Sequence, residues 1–227
     1  MLGCFTHIFV QDTASLKLLE QIHITNTSFS GDTRFDRVIS AAQHQQELQV
    51  ASLFCYGHKI LVAGSTWKED EQFLQKVLPL LPKQWKLILV PHEVNEAHTE
   101  QIEHLFENDT IRWSAVQGAS TLPDKRVLIA DQVGFLLQLY RYGTMAWIGG
   151  GFGKEGVHNV LEAAVYGVPC FYGPIFHQFI EAQQLIAAGG GFTVSEPAAL
   201  INKLEEIENT DRYQQHSAAA KSYVHSL

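Results

Sequence analysis

The chain has few cysteines, no run of basic residues and no long uninterrupted apolar stretch. Its 227 residues include three cysteines, Cys4, Cys55 and Cys170. They are odd in number and too widely spaced for a disulfide framework or a metal site, which indicates a reducing compartment. Sixteen Lys and Arg against 24 Asp and Glu give a formal net charge of −8. A nucleic-acid-binding surface is therefore not expected.

Membrane and export signals are also missing from the printed residues. The longest uncharged run, residues 163–180, contains two glycines and two prolines, so it does not predict a transmembrane helix. The first residues lack the basic start and long apolar core of a signal peptide. With 46% hydrophobic residues, the sequence predicts a soluble chain with a substantial buried core.

Short β-rich segments alternate with helical patterns along almost the whole chain. Because the strands are nearly all apolar, the pattern predicts an α/β fold with a Rossmann-like parallel sheet and helices on both faces. The predicted strands are 5–10, 26–30, 59–64, 85–90, 111–115, 126–130, 144–149, 168–172 and 191–194. The predicted helices are 15–22, 34–56, 69–81, 96–106, 135–142, 157–166, 180–188, 198–208 and a tail helix within 210–227.

The regular pattern begins at Gly31. We expect residues 1–30 to be the end of a preceding domain or a linker, and residues 31–227 to form one Rossmann-like domain. In such sheets ligands bind at the carboxyl ends of the strands. The loops expected at that edge are 64–69, 91–96, 131–136, 149–159 and 172–179.

The most informative segment is residues 145–162, MAWIGGGFGKEGVHNVLE, in which a strand enters a glycine-rich turn that opens a helix. Such a turn favours an anionic ligand. Ile148 and Glu155 exclude a Walker A loop. Gly151, Gly153 and Gly156 match G-x-G-x-x-G, but the acidic residue expected about 20 positions later is absent, which disfavours NAD and FAD. A purely structural role of the glycines stays open.

His158, Asn159 and Glu162 are predicted to lie in the first turns of that helix, with His158 and Glu162 on one face. A carboxylate at 162 can accept two hydrogen bonds from a ribose diol. Alternatively, Asn159 only caps the helix and Glu162 is solvated. The spacing does not match the H-E-x-x-H zinc motif.

Three other loops offer contacts with equally ordinary alternatives. Thr66 and Glu69 fit a helix capping box, although an anion can use the same helix end. His92 follows a strand, which places it at the ligand crevice, although a histidine there can also be an ordinary surface or core polar residue. Phe135 and Leu136 suit the core, whereas a turn at Gly134 can present backbone amides to a ligand.

Seven short motifs resemble, in order and spacing, the C-terminal domain of the 3-deoxy-D-manno-octulosonic acid (Kdo) transferases, which are two-Rossmann-domain GT-B glycosyltransferases. The motifs are GDTRFD at 31–36, AGST at 63–66, LVPH at 89–92, GFL at 134–136, WIGGG at 147–151, HNVLE at 158–162 and GP at 173–174. They cover nearly the whole chain.

The resemblance implies that the donor is CMP-Kdo and that the acceptor is a lipid A precursor of lipopolysaccharide biosynthesis. By resemblance, the CMP pocket is lined by Pro91, His92, Gly134, Phe135, Leu136, Asn159, Val160, Leu161 and Glu162, with Ser65, Thr66 and Gly151 as further contacts. Two departures stand out. The family commonly has Pro-Arg where this chain has Pro91–His92, and Gly-Glu-Leu where it has Gly134–Phe135–Leu136.

The resemblance also implies that a membrane anchor, an acceptor-binding domain and the catalytic glutamate belong to a region preceding these motifs. The whole enzyme is then expected at the cytoplasmic face of the bacterial inner membrane. This fragment is expected to bind CMP-Kdo without transferring the sugar, and to need no metal or other cofactor. Two alternatives stay open: another GT-B donor domain that uses a UDP-sugar, and a stand-alone nucleotide-binding module.

Overall fold

All nine predicted strands are present in the computed structural model, which describes residues 2–44, 46–107 and 109–226. The strands are β1 (Ile8–Val10), β2 (Thr27–Phe29), β3 (Lys59–Thr66), β4 (Trp85–Pro91), β5 (Thr110–Arg112), β6 (Val127–Ile129), β7 (Met145–Ile148), β8 (Cys170–Tyr172) and β9 (Gly191–Thr193). Seven form one parallel sheet in the order β5-β6-β4-β3-β7-β8-β9. The strands β1 and β2 form a separate parallel pair.

Helices cover both faces of the main sheet, which confirms the predicted fold class. They are α1 (Thr13–Gln21), α2 (Thr33–Gln43), α3 (Gln49–Cys55), α4 (Lys68–Val77), α5 (Glu96–Leu105), α6 (Leu136–Tyr140), α7 (Leu161–Ala164), α8 (Ile180–Ala188), α9 (Pro197–Ile207) and α10 (Thr210–His225). Short 3-10 helices lie at Leu2–Cys4, Leu78–Leu80 and Ser114–Val116. The last predicted residue of the tail helix, Leu227, lies outside the described residues.

Alternate residues of the central strands point to opposite cores, as the period of two requires. In β3, Ile60 and Val62 join the core formed with α2, α3, α6, α7, α8 and α10. Leu61 and Ala63 join the core formed with α4, α5 and α9. The central strands are therefore buried on both faces, and their ligand-accessible parts are the ends.

Two predicted helices differ most from the observed ones, while the helix predicted over 69–81 becomes α4 followed by the 3-10 helix Leu78–Leu80. The single helix predicted over 34–56 is two helices, because α2 ends at Gln43 and the Leu48 N–H is bonded at 3.0 Å to the Tyr142 hydroxyl, which comes from a distant part of the chain. The helix predicted over 157–166 shrinks to α7. Both changes are caused by contacts between segments far apart in sequence.

The carboxyl ends of the strands meet at one edge of the sheet. The central strand β3 has β4 on one side and β7 on the other, so the strand order reverses beside it. This is the topological switch point at which parallel α/β sheets bind ligands. The strands β1 and β2 are separate from the main sheet. Their separation does not test whether a domain boundary lies at Gly31, so the boundary stays a prediction.

Candidate functional site

The ends of β3 and β7 approach each other unusually closely at this edge. The Gly149 N–H donates to the Gly64 carbonyl at 2.9 Å, and a Cβ on Gly149 would lie 2.1 Å from the Ser65 carbonyl oxygen. Ser65 has a left-handed backbone, with φ +51°, and the pairing register of β3 shifts between Gly64 and Thr66. Such strained backbone in a non-glycine residue is concentrated at functional sites.

The glycine loop after β7 packs against the loop after β8. A Cβ on Gly151 would lie 2.5 Å from the Gly173 nitrogen, and the converse clash with the Gly151 backbone is equally close. Gly150 has a positive φ of +90°. Close backbone packing therefore accounts for these glycines, which supports the structural alternative left open above. In this packing, the backbone N–H of the buried Gly151 makes no hydrogen bond to another described residue.

Asp70 is a buried carboxylate that joins three parts of this edge. It accepts hydrogen bonds from the Trp67 N–H (3.0 Å), the Gly150 N–H (2.8 Å) and the Trp147 indole (3.0 Å). Burial raises the pKa of Asp70, while these three bonds oppose the rise. Asp70 is not among the site residues predicted from the sequence. Its position three residues after the helix N-cap is nevertheless one at which an acidic side chain commonly bonds to the N-cap backbone.

The predicted capping box at Thr66 and Glu69 is wrong by one residue. Trp67 is the N-cap of α4, and its backbone N–H is bonded to Asp70. An indole cannot accept the reciprocal bond, so only half of a capping box forms. The Thr66 hydroxyl instead donates to the buried Glu71 at 3.1 Å. The hydroxyl hydrogen is therefore not free to bond to a ligand.

Three aromatic side chains from three different loops meet beside the glycine turn. Trp67 follows β3, His92 follows β4 and His158 ends the glycine loop. The Trp67 indole donates to His158 Nε2 at 2.8 Å, and the two rings are inclined by only 15°. The His92 ring stacks on both, with centroids 4.4 Å from Trp67 and 4.5 Å from His158. The His92 backbone is bonded to the Thr66 carbonyl at 2.9 Å.

Asn159 and Glu162 form a hydrogen-bonded pair at the start of α7. The Asn159 amide donates to Glu162 Oε1 at 3.2 Å, and its oxygen accepts from the Leu161 N–H at 3.1 Å. Burial raises the pKa of Glu162, and the Asn159 bond and the charge of Arg37 oppose that rise. Asn159 therefore satisfies the N–H group of the first residue of α7 and also orients a half-buried carboxylate.

The prediction that His158 and Glu162 share a helix face is wrong. The segment before α7 is not helical, because the Val157 N–H is bonded to the Ile175 carbonyl and the His158 N–H to the Gly149 carbonyl. These bonds to neighbouring loops replace the helical ones. Val160, which follows, has a buried side chain and can offer a ligand only its backbone.

The remaining predicted contact residues lie at the same edge, and they differ in how deeply they are buried and what they pack against. Pro91 is buried at the end of β4. Gly134 is exposed with φ +97°, and Phe135 stacks on Trp113 at 5.3 Å, which favours a packing role for Phe135. Leu136 and Leu161 also pack into the apolar core, and the Leu136 side chain lies against Gly64.

A cavity of about 550 Å³ lies elsewhere, between the ends of β1 and β2 and helices α2, α8 and α10. Its lining includes Asp12, Asp32, Asp36 and Glu181. Arg34, beside it, is held at 2.6 Å by both Asp32 and Glu181. Four carboxylates make this cavity a poor host for an anion.

None of the helices among the described residues has the length and apolar character needed to cross a bilayer. Within the same residues, no group of three or more His, Cys, Asp or Glu side chains is arranged to hold a metal ion.

Comparisons with known proteins identify relatives along much of the chain. No protein-family model matches. The chain is 30% identical over 154 residues to the 3-deoxy-D-manno-octulosonic acid transferase of Aquifex aeolicus, covering 66% of this chain and 42% of that protein. It is 26% identical over 210 residues to the Rickettsia bellii enzyme of the same name, covering 88% of this chain and 48% of that protein. The chain thus spans less than half the length of these curated relatives.

Solved structures show the same fold. The C-terminal CMP-Kdo binding domain of WaaA from Acinetobacter baumannii matches with a TM-score of 0.66 and 22% identity, over 85% of this chain and 99% of that domain. The S. aureus MnaA structure with UDP matches with a TM-score of 0.62 and 12% identity, over 96% of this chain and 56% of that one. The resemblance found in the seven motifs is confirmed: the chain is similar in sequence to Kdo transferases, and it has the fold of the C-terminal CMP-Kdo binding domain of WaaA.

Proposed function

We propose that the chain is the donor-binding domain of a Kdo transferase and that it binds the CMP part of CMP-Kdo at the carboxyl edge of the sheet. In the whole enzyme, Kdo would pass to a lipid A precursor at the inner membrane. A lipid hydroxyl would attack the anomeric carbon of Kdo and lose its proton to a general base in the preceding region, and CMP would leave with the bonding electron pair. The homology to Kdo transferases supports the choice of donor.

The observation that carries the proposal is the Asn159–Glu162 pair. Asn159 fixes one carboxylate oxygen of Glu162, while Oε2 makes no hydrogen bond to a described residue and is not among their buried, unsatisfied atoms. The free oxygen is therefore reachable, and a carboxylate can accept from two adjacent hydroxyls. A ribose diol matches this requirement, as in other nucleotide-binding Rossmann folds.

Backbone amides beside that pair suit the CMP phosphate. Within the described part of the chain, the N–H groups of Gly151, Asn159 and Val160 donate to no other residue. Unpaired amides next to a glycine turn bind anions without a cationic side chain. As the donor reacts, negative charge grows on the leaving phosphate, and preorganised amides stabilise that charge.

The first prediction concerns Glu162→Gln. This change keeps the shape and the bond from Asn159 but removes the charge, so CMP affinity is expected to fall about tenfold to a hundredfold, the range for hydrogen bonds to a charged group. Isothermal titration with CMP and with CMP-Kdo measures the loss. Glu155→Gln, in the exposed part of the glycine loop, is the matched control and should bind as the wild type does.

Equal affinity of Glu162→Gln and the wild type would remove the ribose role. The same titration, repeated with UDP as competitor, separates the Kdo transferase from a UDP-sugar enzyme. CMP should displace UDP readily, and the reverse order would favour the UDP-sugar alternative.

The second prediction is a pH dependence of nucleoside binding. Because burial raises the pKa of Glu162, its carboxylate takes up a proton at a higher pH than an exposed glutamate does. Protonation removes an acceptor, so affinity should fall as the pH is lowered through that raised pKa. Cytidine is the suitable probe because it lacks the titrating phosphate, and protonation of its own base at acidic pH affects the wild type and Glu162→Gln alike. The fall beyond that shared effect should be absent in Glu162→Gln, and an identical fall in the variant would assign the titration to another group.

A further inference from the structure

In the ring cluster of Trp67, His92 and His158, the hydrogen bond from Trp67 determines which nitrogen of His158 carries the proton. An indole N–H can donate but not accept, so the 2.8 Å bond requires a lone pair on His158 Nε2. The proton of the neutral imidazole must then sit on Nδ1. The tautomer of His158 is therefore determined by the bond from Trp67, and the backbone of the three loops holds the two rings in place for that bond.

The Nδ1–H group is available to a ligand. No described residue forms a hydrogen bond with His158 Nδ1, and this atom is not among the buried unsatisfied atoms, so it reaches the surface of the crevice. The adjacent Asn159 contributes one of the unpaired backbone N–H groups. Two consecutive residues at this edge therefore each have a donor that no described residue occupies.

Protonation of His158 is disfavoured by its surroundings. Burial lowers the pKa of His158, the neighbouring His92 lowers it further, and Glu155 of the glycine loop acts in the opposite direction. A second proton on Nε2 would also break the bond from Trp67, since both groups would then be donors. These effects keep the ring neutral near pH 7.

We propose that Trp67 is a positioning residue that holds His158 as a neutral Nδ1–H donor to a phosphate oxygen of the bound nucleotide. This inference rests on the proposed CMP site and adds a specific contact to it. His92, stacked on both rings, keeps them coplanar enough for the bond. Phosphate recognition at this point then depends on a fixed hydrogen-bond donor and not on a formal positive charge.

The test removes the indole N–H and keeps an aromatic ring. Trp67→Phe releases Nε2, so His158 redistributes its proton between both nitrogens. Because the proposed contact needs the Nδ1–H form, the apparent Kd for CMP should rise by the reciprocal of the remaining Nδ1–H fraction, which is about fivefold for a fraction of about one fifth. Trp85→Phe is the matched control, since the Trp85 indole donates to Glu208 at 2.9 Å near the opposite end of the strands.

A spectroscopic measurement separates this role from general loosening of the fold. ¹⁵N NMR of the ligand-free wild-type chain should show a protonated Nδ1 and an unprotonated Nε2 for His158, and Trp67→Phe should shift that pattern. His158→Asn, whose amide nitrogen lies near the Nδ1 position, should retain more CMP affinity than His158→Gln, whose nitrogen lies near the Nε2 position.

The outcomes distinguish the inference from the function on which it rests. A wild-type chain that binds no CMP overturns the proposed function and this contact with it. CMP binding that is unchanged in Trp67→Phe, or a wild-type His158 protonated on Nε2, overturns the inference alone.

Discussion

Replacing Gly149 with alanine is expected to abolish CMP binding and to destabilise the fold. The added Cβ would lie 2.1 Å from the Ser65 carbonyl oxygen and 2.8 Å from the Thr66 Cα, which are backbone atoms of the central strand. Backbone cannot rotate away as a side chain can, so β3 and β7 must separate at the ligand edge. We expect a loss of about 3 kcal/mol or more, the upper range for overpacking a close-packed site.

Gly153→Ala is the control for this prediction. Gly153 belongs to the same loop, but the nearest atom to its added Cβ is the Gly150 carbonyl oxygen, at an ordinary 3.7 Å. Urea unfolding should give nearly wild-type stability for Gly153→Ala and a clearly lower midpoint for Gly149→Ala. If both variants unfold at the wild-type midpoint and bind CMP equally, the close approach of the ends of β3 and β7 is not required for the CMP site.

The second large effect is expected for Asp70→Ala. The change leaves the Trp67 N–H, the Gly150 N–H and the Trp147 indole without their acceptor in a buried place. Each unsatisfied buried donor costs about 1–3 kcal/mol, so a total loss of about 3–5 kcal/mol is expected after partial relaxation. CMP affinity should fall as well, because Asp70 holds both the glycine turn and the loop that carries Trp67.

Glu69→Ala provides the comparison for Asp70. The exposed Glu69 is the capping residue that the sequence pattern predicts, whereas the structure places Asp70 in that role. Removing Glu69 should change the free energy of unfolding by only about 0.3–1 kcal/mol, through the helix dipole. A cost for Glu69→Ala equal to that of Asp70→Ala would restore the original capping assignment.

The fold could be predicted from sequence because its signals are local. Apolar runs such as Lys59–Thr66 and Trp85–Pro91 are recognisable as buried strands within a few residues, and their alternation with helices fixes a parallel sheet. Helix ends were less predictable. The break before Gln49 depends on Tyr142, and the late start of α7 depends on hydrogen bonds to Gly149 and Ile175.

The site could be predicted only in part, for the same reason. Asn159 and Glu162 are three residues apart, so their pairing was accessible from sequence. The Trp67–His158 bond joins residues 91 positions apart, and no local pattern indicates it. Asp70 is similar: its cap position is a local feature, but its bonds to Gly150 and Trp147 follow from the strand order.

CMP binding at the carboxyl edge of the sheet is tested most directly by titrating the ¹⁵N-labelled chain with CMP and following amide and indole NMR shifts. We expect saturable shifts at His92, Gly151, Asn159 and Val160 and at the Trp67 indole. The absence of shifts, or shifts concentrated around the acidic cavity lined by Asp32, Glu181 and Tyr223, would contradict binding at this edge.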